Sequence, residues 1–350
     1  MTSEELLQPE VGSLSDERRL SDPWPQFIET ARKMSAPGVM PTDPLLEAGR
    51  KVLRFHFGQM LLHEDGTRLG EDSEELHDMR VATRRMRAAL EVFEGAFESK
   101  ALKPLLNGMR QTGRRLGRVR DLDVFLEKAV AYQRQQSPEL EQGLQPLLDS
   151  WVQEREAGRR DLLAYLDSEK YRSFKLKFYT FTHTPGAGAR APVSDGLSPR
   201  LVQEIAPVLV YTRLAAVRAY APILENASIE QLHALRIELK KLRYTVEFFR
   251  EVFGNTTSEV ISDAKKLQDH LGELNDAQVA TGLLRDYLTS WDAQQASQPV
   301  QERQSPHAVM AYLSHQYEQR QLLMRTFPQA WTIFNRSEFR RNLALAVSAL

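Results

Sequence analysis

The chain has 350 residues, of which 42% are hydrophobic and 27% charged, and its formal net charge is -1. This is the composition of a globular protein long enough for one large domain or two smaller ones. It contains no cysteine, which excludes disulfides, thiolate metal sites and a cysteine nucleophile, and which fits a reducing compartment. The acidic N-terminus lacks the apolar core of a signal peptide, and no apolar run approaches the roughly 20 residues of a membrane span, so we expect a cytoplasmic protein.

The predicted elements are all helices. Residues 1–42 are rich in proline, glycine and serine apart from the segment FIETARKM, which predicts a partly mobile tail with a docked turn. From residue 43 onward, apolar residues recur at helical spacing. The predicted helices of the first half, 43–181, are 44–63, 73–98, 101–117, 121–135 and 139–168, and those of the second half, 200–327, are 200–225, 229–253, 257–271, 275–291 and 306–326. The turn-rich segment 182–199 is the predicted linker, and 328–350 a C-terminal extension.

The two halves share two motifs in the same order. HDMRVATRRMRAALEVF, from residue 77, aligns without a gap with HALRIELKKLRYTVEFF, from residue 233. LGRVRDLDVF, from residue 116, aligns with LGELNDAQVA, from residue 271, at almost the same offset. This repetition predicts an internal duplication of a helical unit.

The first motif places its cations on one side of a helix. Counted at about 100° per residue, Arg80, Arg84 and Arg87 fall in one stripe beside the apolar face, while Arg85 falls on the other flank. The second copy repeats the stripe with His233, Arg236, Lys240 and Arg243, and Lys241 takes the place of Arg85. The net charge near zero therefore conceals a local basic region: 77–120 holds eleven Lys/Arg against four Asp/Glu.

The stripe is either a solvated helix face or an anion site. A stabilising solvated face interleaves acidic residues at i,i+4, whereas Arg80, Arg84 and Arg87 repel one another unless an anion or a carboxylate of another helix neutralises them. The recurrence of the stripe favours the anion site. Guanidinium groups bind phosphate oxygens in pairs, and the stripe spans roughly 10 Å, which suits a linear polyanion better than one mononucleotide.

Other residues of the two motifs leave several roles open. His77 and His233 are either hydrogen-bonded histidines at helix starts, phosphate donors, or ligands of a metal that would require both to meet. Gly117 and Gly272 indicate tight helix contacts or helix breaks. The aspartates that follow them, Asp121 and Asp276, are N-caps or orienting partners of nearby arginines.

No signature of catalysis accompanies these residues. The chain has no phosphate-binding loop, no G-x-S-x-G elbow, no H-E-x-x-H and no carboxylate cluster suited to magnesium. We therefore expect no catalytic residue, no metal and no cofactor, and a protein that is not an enzyme. We expect the acidic segment 64–76 to be a solvated loop. The alternative is that it folds over the basic surface and screens out weak anions.

HDMRVATRRMRAAL with RDLDVF, followed by LHALRIELKKLRYTVEFF with LQDHLGELNDAQV, resembles the CHAD family, the conserved-histidine alpha-helical domains, over residues 43–327. The resemblance implies two four-helix bundles related by a pseudo-two-fold axis, with a basic groove or pore between them. It also implies binding of inorganic polyphosphate and association with polyphosphate granules. Some members are fused to a triphosphatase domain, whose E-x-E-x-K motif we do not find here, so we expect a stand-alone CHAD domain without that activity.

The resemblance assigns the polyphosphate contacts to residues of the basic motifs. These are His77, Arg80, Arg84, Arg85 and Arg87, and their counterparts His233, Arg236, Lys240, Lys241 and Arg243. Helix packing is expected to bring further cations beside them: Arg110, Arg114 and Arg118 in the first half, and Lys266 and His270 in the second. A nucleic-acid binder is the alternative function, which the lack of aromatic residues between the cations disfavours.

Overall fold

The computed structural model describes residues 23–191 and 201–350, and all regular elements in these ranges are helical. The all-α class predicted from the sequence is confirmed. The helices are α1 Trp24–Lys33, α2 Leu45–Leu62, α3 Glu64–Leu69, α4 Ser73–Val92, α5 Ser99–Gln133, α6 Pro138–Leu166, α7 Glu169–His183, α8 Val202–Arg218, α9 Ile229–Phe248, α10 Arg250–Phe253, α11 Thr257–Ala296, α12 His307–Phe334 and α13 Ser337–Val347. No helix in the described ranges is long and apolar enough to cross a membrane.

Two pairs of predicted helices are in fact single long helices. Helix α5 joins the predicted segments 101–117 and 121–135, and α11 joins 257–271 and 275–291. The helix-break interpretation of Gly117 and Gly272 is therefore wrong, as is the N-cap interpretation of Asp121 and Asp276, because all four lie inside these helices. A glycine costs a helix only about 1 kcal/mol, which the packing of a long helix easily offsets.

Other differences concern the ends of each half. Sequence periodicity did not predict α7 or α13, and α12 continues past residue 327, the predicted end of the second half, to Phe334. The helix in FIETARKM is present as α1, which packs on α2 with Phe27 and Ala31 buried. A Cβ at Gly58 of α2 would lie 2.6 Å from the Cβ of Ala31, so the close approach of α1 requires glycine there. Residues 1–22, about half of the predicted tail, and residues 192–200, which include 192–199 of the predicted linker, lie outside the described residues.

The order of packing recurs along the chain. In the first half α2 packs on α4, α4 on α5 and α5 on α6, and in the second half α8 packs on α9, α9 on α11 and α11 on α12. Helices α4 and α9, which carry the two basic motifs, also pack on each other. The four long helices α5, α6, α11 and α12 extend away from this contact.

The buried residues do not form one separate core in each half. The larger core takes residues from both halves, including Met86 and Phe93 of the first and Leu242 and Phe249 of the second. A smaller core joins the far parts of α5, α6, α11 and α12. Each aromatic or aliphatic side chain buried in this way contributes about 1.5–3 kcal/mol relative to exposure, which holds the charged helices α4 and α9 together.

One buried histidine lies beneath the α4–α9 contact. His56 of α2 is 5% exposed and packs against Phe55 and Phe248. Burial lowers the pKa of His56 to about 3, and the charge of Arg85 adds to this effect. The imidazole is therefore neutral in the folded chain at pH 7, and it is charged in the unfolded chain below about pH 6.5.

We predict that His56 makes the protein acid-sensitive. Because the unfolded chain takes up the proton first, the free energy of unfolding falls as the pH drops below about 6.5, by up to about 1.4 kcal/mol per pH unit. In His56→Phe this contribution is absent, so between pH 7 and pH 5 the wild type should lose about 2 kcal/mol more than the variant. Urea unfolding at both pH values measures the difference, and equal losses would contradict the prediction.

Candidate functional site

The two helices that carry the basic motifs begin at sequence-encoded caps. Asp72 accepts a hydrogen bond of 2.9 Å from the backbone N–H of Glu74 at the start of α4. At the start of α9, Ser228 accepts from the N–H of Gln231, whose side chain accepts in return from the N–H of Ser228. Both helices are 20 residues long. The caps thus fix where each motif begins relative to its neighbouring helices.

Four cations at the α4–α9 contact have no carboxylate within 4 Å in the part of the chain that the structure describes. We call them the cationic cluster: Arg84 and Arg87 of α4, and Arg236 and Lys240 of α9. Arg84 is half-buried, its Nε atom is buried without a hydrogen-bond partner, and its guanidinium carbon lies 6.0 Å from the centre of the Tyr244 ring. The cluster thus assembles positive charge with little compensation from the protein.

Burial and the neighbouring positive charges lower the pKa of two members of the cluster, Lys240 and Arg84. Burial and the charges of neighbouring arginines together lower the pKa of Lys240 to about 8, against the opposing charge of Glu91. The arginines are Arg84, Arg236 and Arg87. Burial also lowers the pKa of Arg84. An anion placed here would relieve the repulsion, so the cluster favours binding of an anionic ligand.

A cavity of about 620 Å³ adjoins the cluster, and we call it the arginine cavity. It lies between α4, α5, α9 and α11, with one residue of α6. Arg236 belongs to both the cluster and the cavity. The lining contains the cations Arg80, Arg118, Arg120 and Arg236 with His77, the polar or acidic residues Asn275, Asp121, Glu154 and Asp276, and the apolar residues Leu122, Val124, Phe125, Val279 and Leu283.

The glycines of the long helices bring one arginine of each motif close to the neighbouring helix. A Cβ on Gly117 would lie 3.5 Å from the Nε atom of Arg80, and a Cβ on Gly272 would lie 4.0 Å from the Nε atom of Arg236. These are ordinary van der Waals distances, so the arginine of each motif lies beside the glycine without requiring one, and the tight-contact interpretation of the two glycines is not supported. The same contact occurs at equivalent positions of the two motifs.

Some cations around the cavity are paired with carboxylates. Arg80 donates to Asp121 at 3.0 Å, which makes this aspartate an orienting partner of the arginine. Lys128 donates to Asp276 at 3.1 Å. Burial raises the pKa of Asp121, Asp276 adds to the increase, and Arg80 opposes it.

The acidic segment 64–76 is not the solvated loop that we expected. It forms α3 and the first turn of α4, and Glu64 is buried against Lys175 and Tyr171 at 3.1 and 2.8 Å. Glu74 accepts from Arg120 at 3.4 Å, at the edge of the cavity. The segment therefore places one carboxylate, that of Glu74, at the edge of the cavity. Most of its other residues lie in α3 or at the start of α4.

The two motif histidines have different surroundings. His77 is half-buried in the cavity wall, its Nδ1 atom is buried without a partner, and burial together with Arg120 lowers its pKa. His233 is exposed, and its Nδ1 atom lies 2.7 Å from the side-chain oxygen of Asn275. In the described ranges no group of three or more His, Cys, Asp or Glu side chains is arranged to hold a metal ion.

Three of the predicted motif residues face carboxylates instead of the cavity. Arg85 and Arg243 share Glu247, at 3.4 Å for Arg85 and in a close ion pair for Arg243. Arg243 is 7% exposed and also donates to Gln268 at 2.9 Å. Lys241 donates to Glu238 on its own helix at 2.7 Å. The contact of Arg85 with Glu247 joins α4 to α9, and that of Arg243 with Gln268 joins α9 to α11.

The additional cations predicted beside the motifs are scattered. Arg110, Arg114 and Arg118 are exposed along α5, and only Arg118 lines the cavity. Lys266 donates to Asp263 at 3.2 Å, and the Nε2 atom of His270 lies 2.9 Å from the carbonyl oxygen of Leu323. Sequence reasoning missed Arg120, which lines the cavity. Its position directly before Asp121, in the motif that recurs at 271, was the available signal.

We predict that the low pKa of Lys240 depends on its arginine neighbours. In Arg84→Gln the amine should become more basic, so its reaction with an acylating reagent at pH 8 should slow several-fold. Peptide mass spectrometry across a range of pH values measures the reaction, with Arg340→Gln on the exposed face of α13 as the control. Equal rates in the wild type and in Arg84→Gln would contradict the electrostatic coupling.

Comparison with known proteins identifies the family. A family profile described as CHAD domain matches residues 51–285. Two curated relatives, both described as uncharacterized proteins of Mycobacterium tuberculosis, are 27% identical over 261 residues, which is 70% of this chain and 47% of each relative. The chain thus spans about half the length of these relatives. No triphosphatase (CYTH) domain is detected in it.

Two solved structures share the fold. The crystal structure of the CHAD domain from the plant Ricinus communis has a TM-score of 0.61 and 21% identity, and covers 89% of this chain and 94% of that chain. PptA from Streptomyces chartreusis has a TM-score of 0.60 and 16% identity, and covers 83% of this chain and 100% of that chain. Because the family profile spans more than half of the sequence and the helical fold agrees with it, the chain belongs to the CHAD family.

Proposed function

We propose that the protein binds inorganic polyphosphate at the cationic cluster and the adjoining arginine cavity, without catalysing a reaction on it. The observation that carries the proposal is the group of four cations, Arg84, Arg87, Arg236 and Lys240, which two packed helices hold together and with which no carboxylate of the described residues pairs. Repulsion between these cations destabilises the folded chain. A bound polyanion neutralises the cations, and the relief of their repulsion adds to its affinity.

The arrangement suits a chain of phosphates better than a single phosphate. The cluster and the cavity share Arg236, and the charge of Arg80 in the cavity wall acts on Arg84 in the cluster. One ligand that extends from the cluster into the cavity would contact cations on both α4 and α9. Guanidinium groups bind the non-bridging phosphate oxygens in pairs, and each added phosphate brings a further charge to the next cation.

We further propose that the two halves arose by internal duplication and form pseudo-symmetric bundles with a basic groove between them. The repeated order of packing and the two glycine–arginine contacts support this relation. So does the edge-to-face contact of Phe93 with Phe249, whose ring centres are 5.4 Å apart. These two residues occupy equivalent positions of the motifs, and equivalent residues meet at a two-fold axis.

In the cell, we propose that polyphosphate binding places the protein at polyphosphate granules in the cytoplasm. The family membership supports this location, since the CHAD domain is associated with polyphosphate. Granule association of a fluorescent fusion, and its loss when the cationic cluster is neutralised, would test this part of the proposal separately from binding in vitro.

We predict that neutralising the cluster weakens binding and its dependence on salt. Each cation lost should reduce the slope of log Kd against log salt concentration by about 1, as for other phosphate polyanions. Arg84→Gln combined with Lys240→Gln should therefore lose affinity most strongly at low salt. Titration of long-chain polyphosphate at several salt concentrations measures this, with Arg340→Gln combined with Arg341→Gln, two exposed arginines of α13, as the charge-matched control. A Kd unchanged by the double substitution would contradict the proposed site.

The alternative, a nucleic-acid binder, receives little support from the cavity. Apart from the imidazole of His77, its lining contains one aromatic ring, that of Phe125, which is 7% exposed and therefore offers no platform for a base. We predict that single-stranded RNA fails to displace long-chain polyphosphate at physiological salt. Efficient displacement at equal phosphate concentration would favour the nucleic-acid function instead.

A further inference from the structure

The arginine cavity contains carboxylates as well as cations. Four arginines line it, but so do three acidic side chains. Two of these, Asp121 of α5 and Asp276 of α11, occupy equivalent positions of the duplicated motif. A site that only maximised affinity for anions would not place a carboxylate at this position in both halves, because each one repels the ligand.

Both carboxylates have a cation as partner and remain accessible. Asp121 accepts from Arg80 at 3.0 Å, and its side chain is 57% exposed. Asp276 accepts from Lys128 at 3.1 Å, and its side chain is 38% exposed. Exposed pairs of this kind are weak, so an incoming anion with enough affinity can replace the carboxylate.

We propose that Asp121 and Asp276 are specificity-determining residues that make the site select long phosphate chains over short ones. This inference rests on the proposed function. Asp121 is an internal counter-ion that competes with the ligand for Arg80, whereas Asp276, whose partner Lys128 does not line the cavity, repels the ligand. Because the carboxylate of Asp121 is tethered beside its cation, it competes at a high effective concentration against any free anion.

The position of the cationic cluster explains why chain length decides the competition. No carboxylate of residues 23–191 or 201–350 forms an ion pair with the cluster, so a long chain can be held there first. Its next phosphates are then tethered beside Arg236 and Arg80, where they compete with Asp121 on equal terms. Orthophosphate or pyrophosphate, which is too short to contact as many of these cations at once, meets the carboxylates without this advantage.

The raised pKa of Asp121 agrees with a carboxylate that a ligand can displace from Arg80. Burial and the neighbouring Asp276 raise its pKa, although Arg80 opposes the increase. Asp276 is thus close enough to destabilise the charge of Asp121. A phosphate chain that takes over Arg80 leaves Asp121 free to accept hydrogen bonds from water, since the aspartate is more than half exposed.

The test compares short and long ligands in isosteric variants. Asp121→Asn, Asp276→Asn and the double variant are titrated with pyrophosphate, tripolyphosphate and long-chain polyphosphate. We expect the Kd for the two short ligands to fall about two- to fivefold for each substitution, the range that corresponds to loss of one weak exposed pair. The Kd for the long chain should change much less, so the ratio of short-chain to long-chain Kd falls.

Asp161→Asn is the matched control. Asp161 also pairs with an arginine of α5, Arg115, at 3.1 Å, but neither residue lines the cavity. The control should leave every Kd unchanged. A ratio that stays constant in both cavity variants, or that falls equally in Asp161→Asn, overturns the inference.

The outcomes separate this inference from the proposed function. A wild-type protein that does not bind long-chain polyphosphate overturns the proposed function itself. Wild-type binding with an unaltered length preference in the variants overturns only the role of the aspartates. Thermal unfolding of each variant shows that it is folded, and Asp276→Asn, whose partner Lys128 is largely exposed, keeps the test available if Asp121→Asn destabilises the chain.

Discussion

The repulsion between like charges at the contact of α4 with α9 is the constraint on which the site depends. Arg84 and Lys240 approach each other because the apolar faces of their helices are buried in a shared core, with Met86 and Leu242 fully enclosed. Hydrophobic burial therefore holds together charges that would separate on their own. The core that joins the two halves therefore stabilises the fold and also holds the cations close together, where an anion can bind them.

The carboxylates around this contact separate the cations of the basic motifs into two groups with different roles. Glu247 forms ion pairs with both Arg85 and Arg243. Arg84 and Lys240, each next to a paired residue of its own helix, have no such carboxylate partner in the described part of the chain. The cations with acidic partners fix the helices relative to each other. The cations without them form the proposed binding surface. Asp121 lies between these cases, since it neutralises Arg80 but remains exposed enough to be displaced.

Much of the fold and the central residues of the site followed from the sequence. Helical periodicity and the repeated motif predicted the all-α class and placed Arg80 and Arg84 on one face of a helix. Rotation around a single helix does not show what opposes each side chain, so the pairing of Arg243 with Glu247 and Gln268 could not be predicted. Likewise, a glycine signals either a break or a close approach. The structure excluded the break, because α5 continues through Gly117.

The pKa of Lys240 offers the most direct measurement of the central claim. It can be followed by NMR of the protein labelled at its lysine side chains, with and without long-chain polyphosphate. In the free protein the pKa should be near 8, as the burial of Lys240 among arginines requires. Binding of the polyanion at the cluster should raise it, with uptake of a proton at pH 8. An unchanged pKa in the saturated complex would show that the ligand binds elsewhere and would contradict the account.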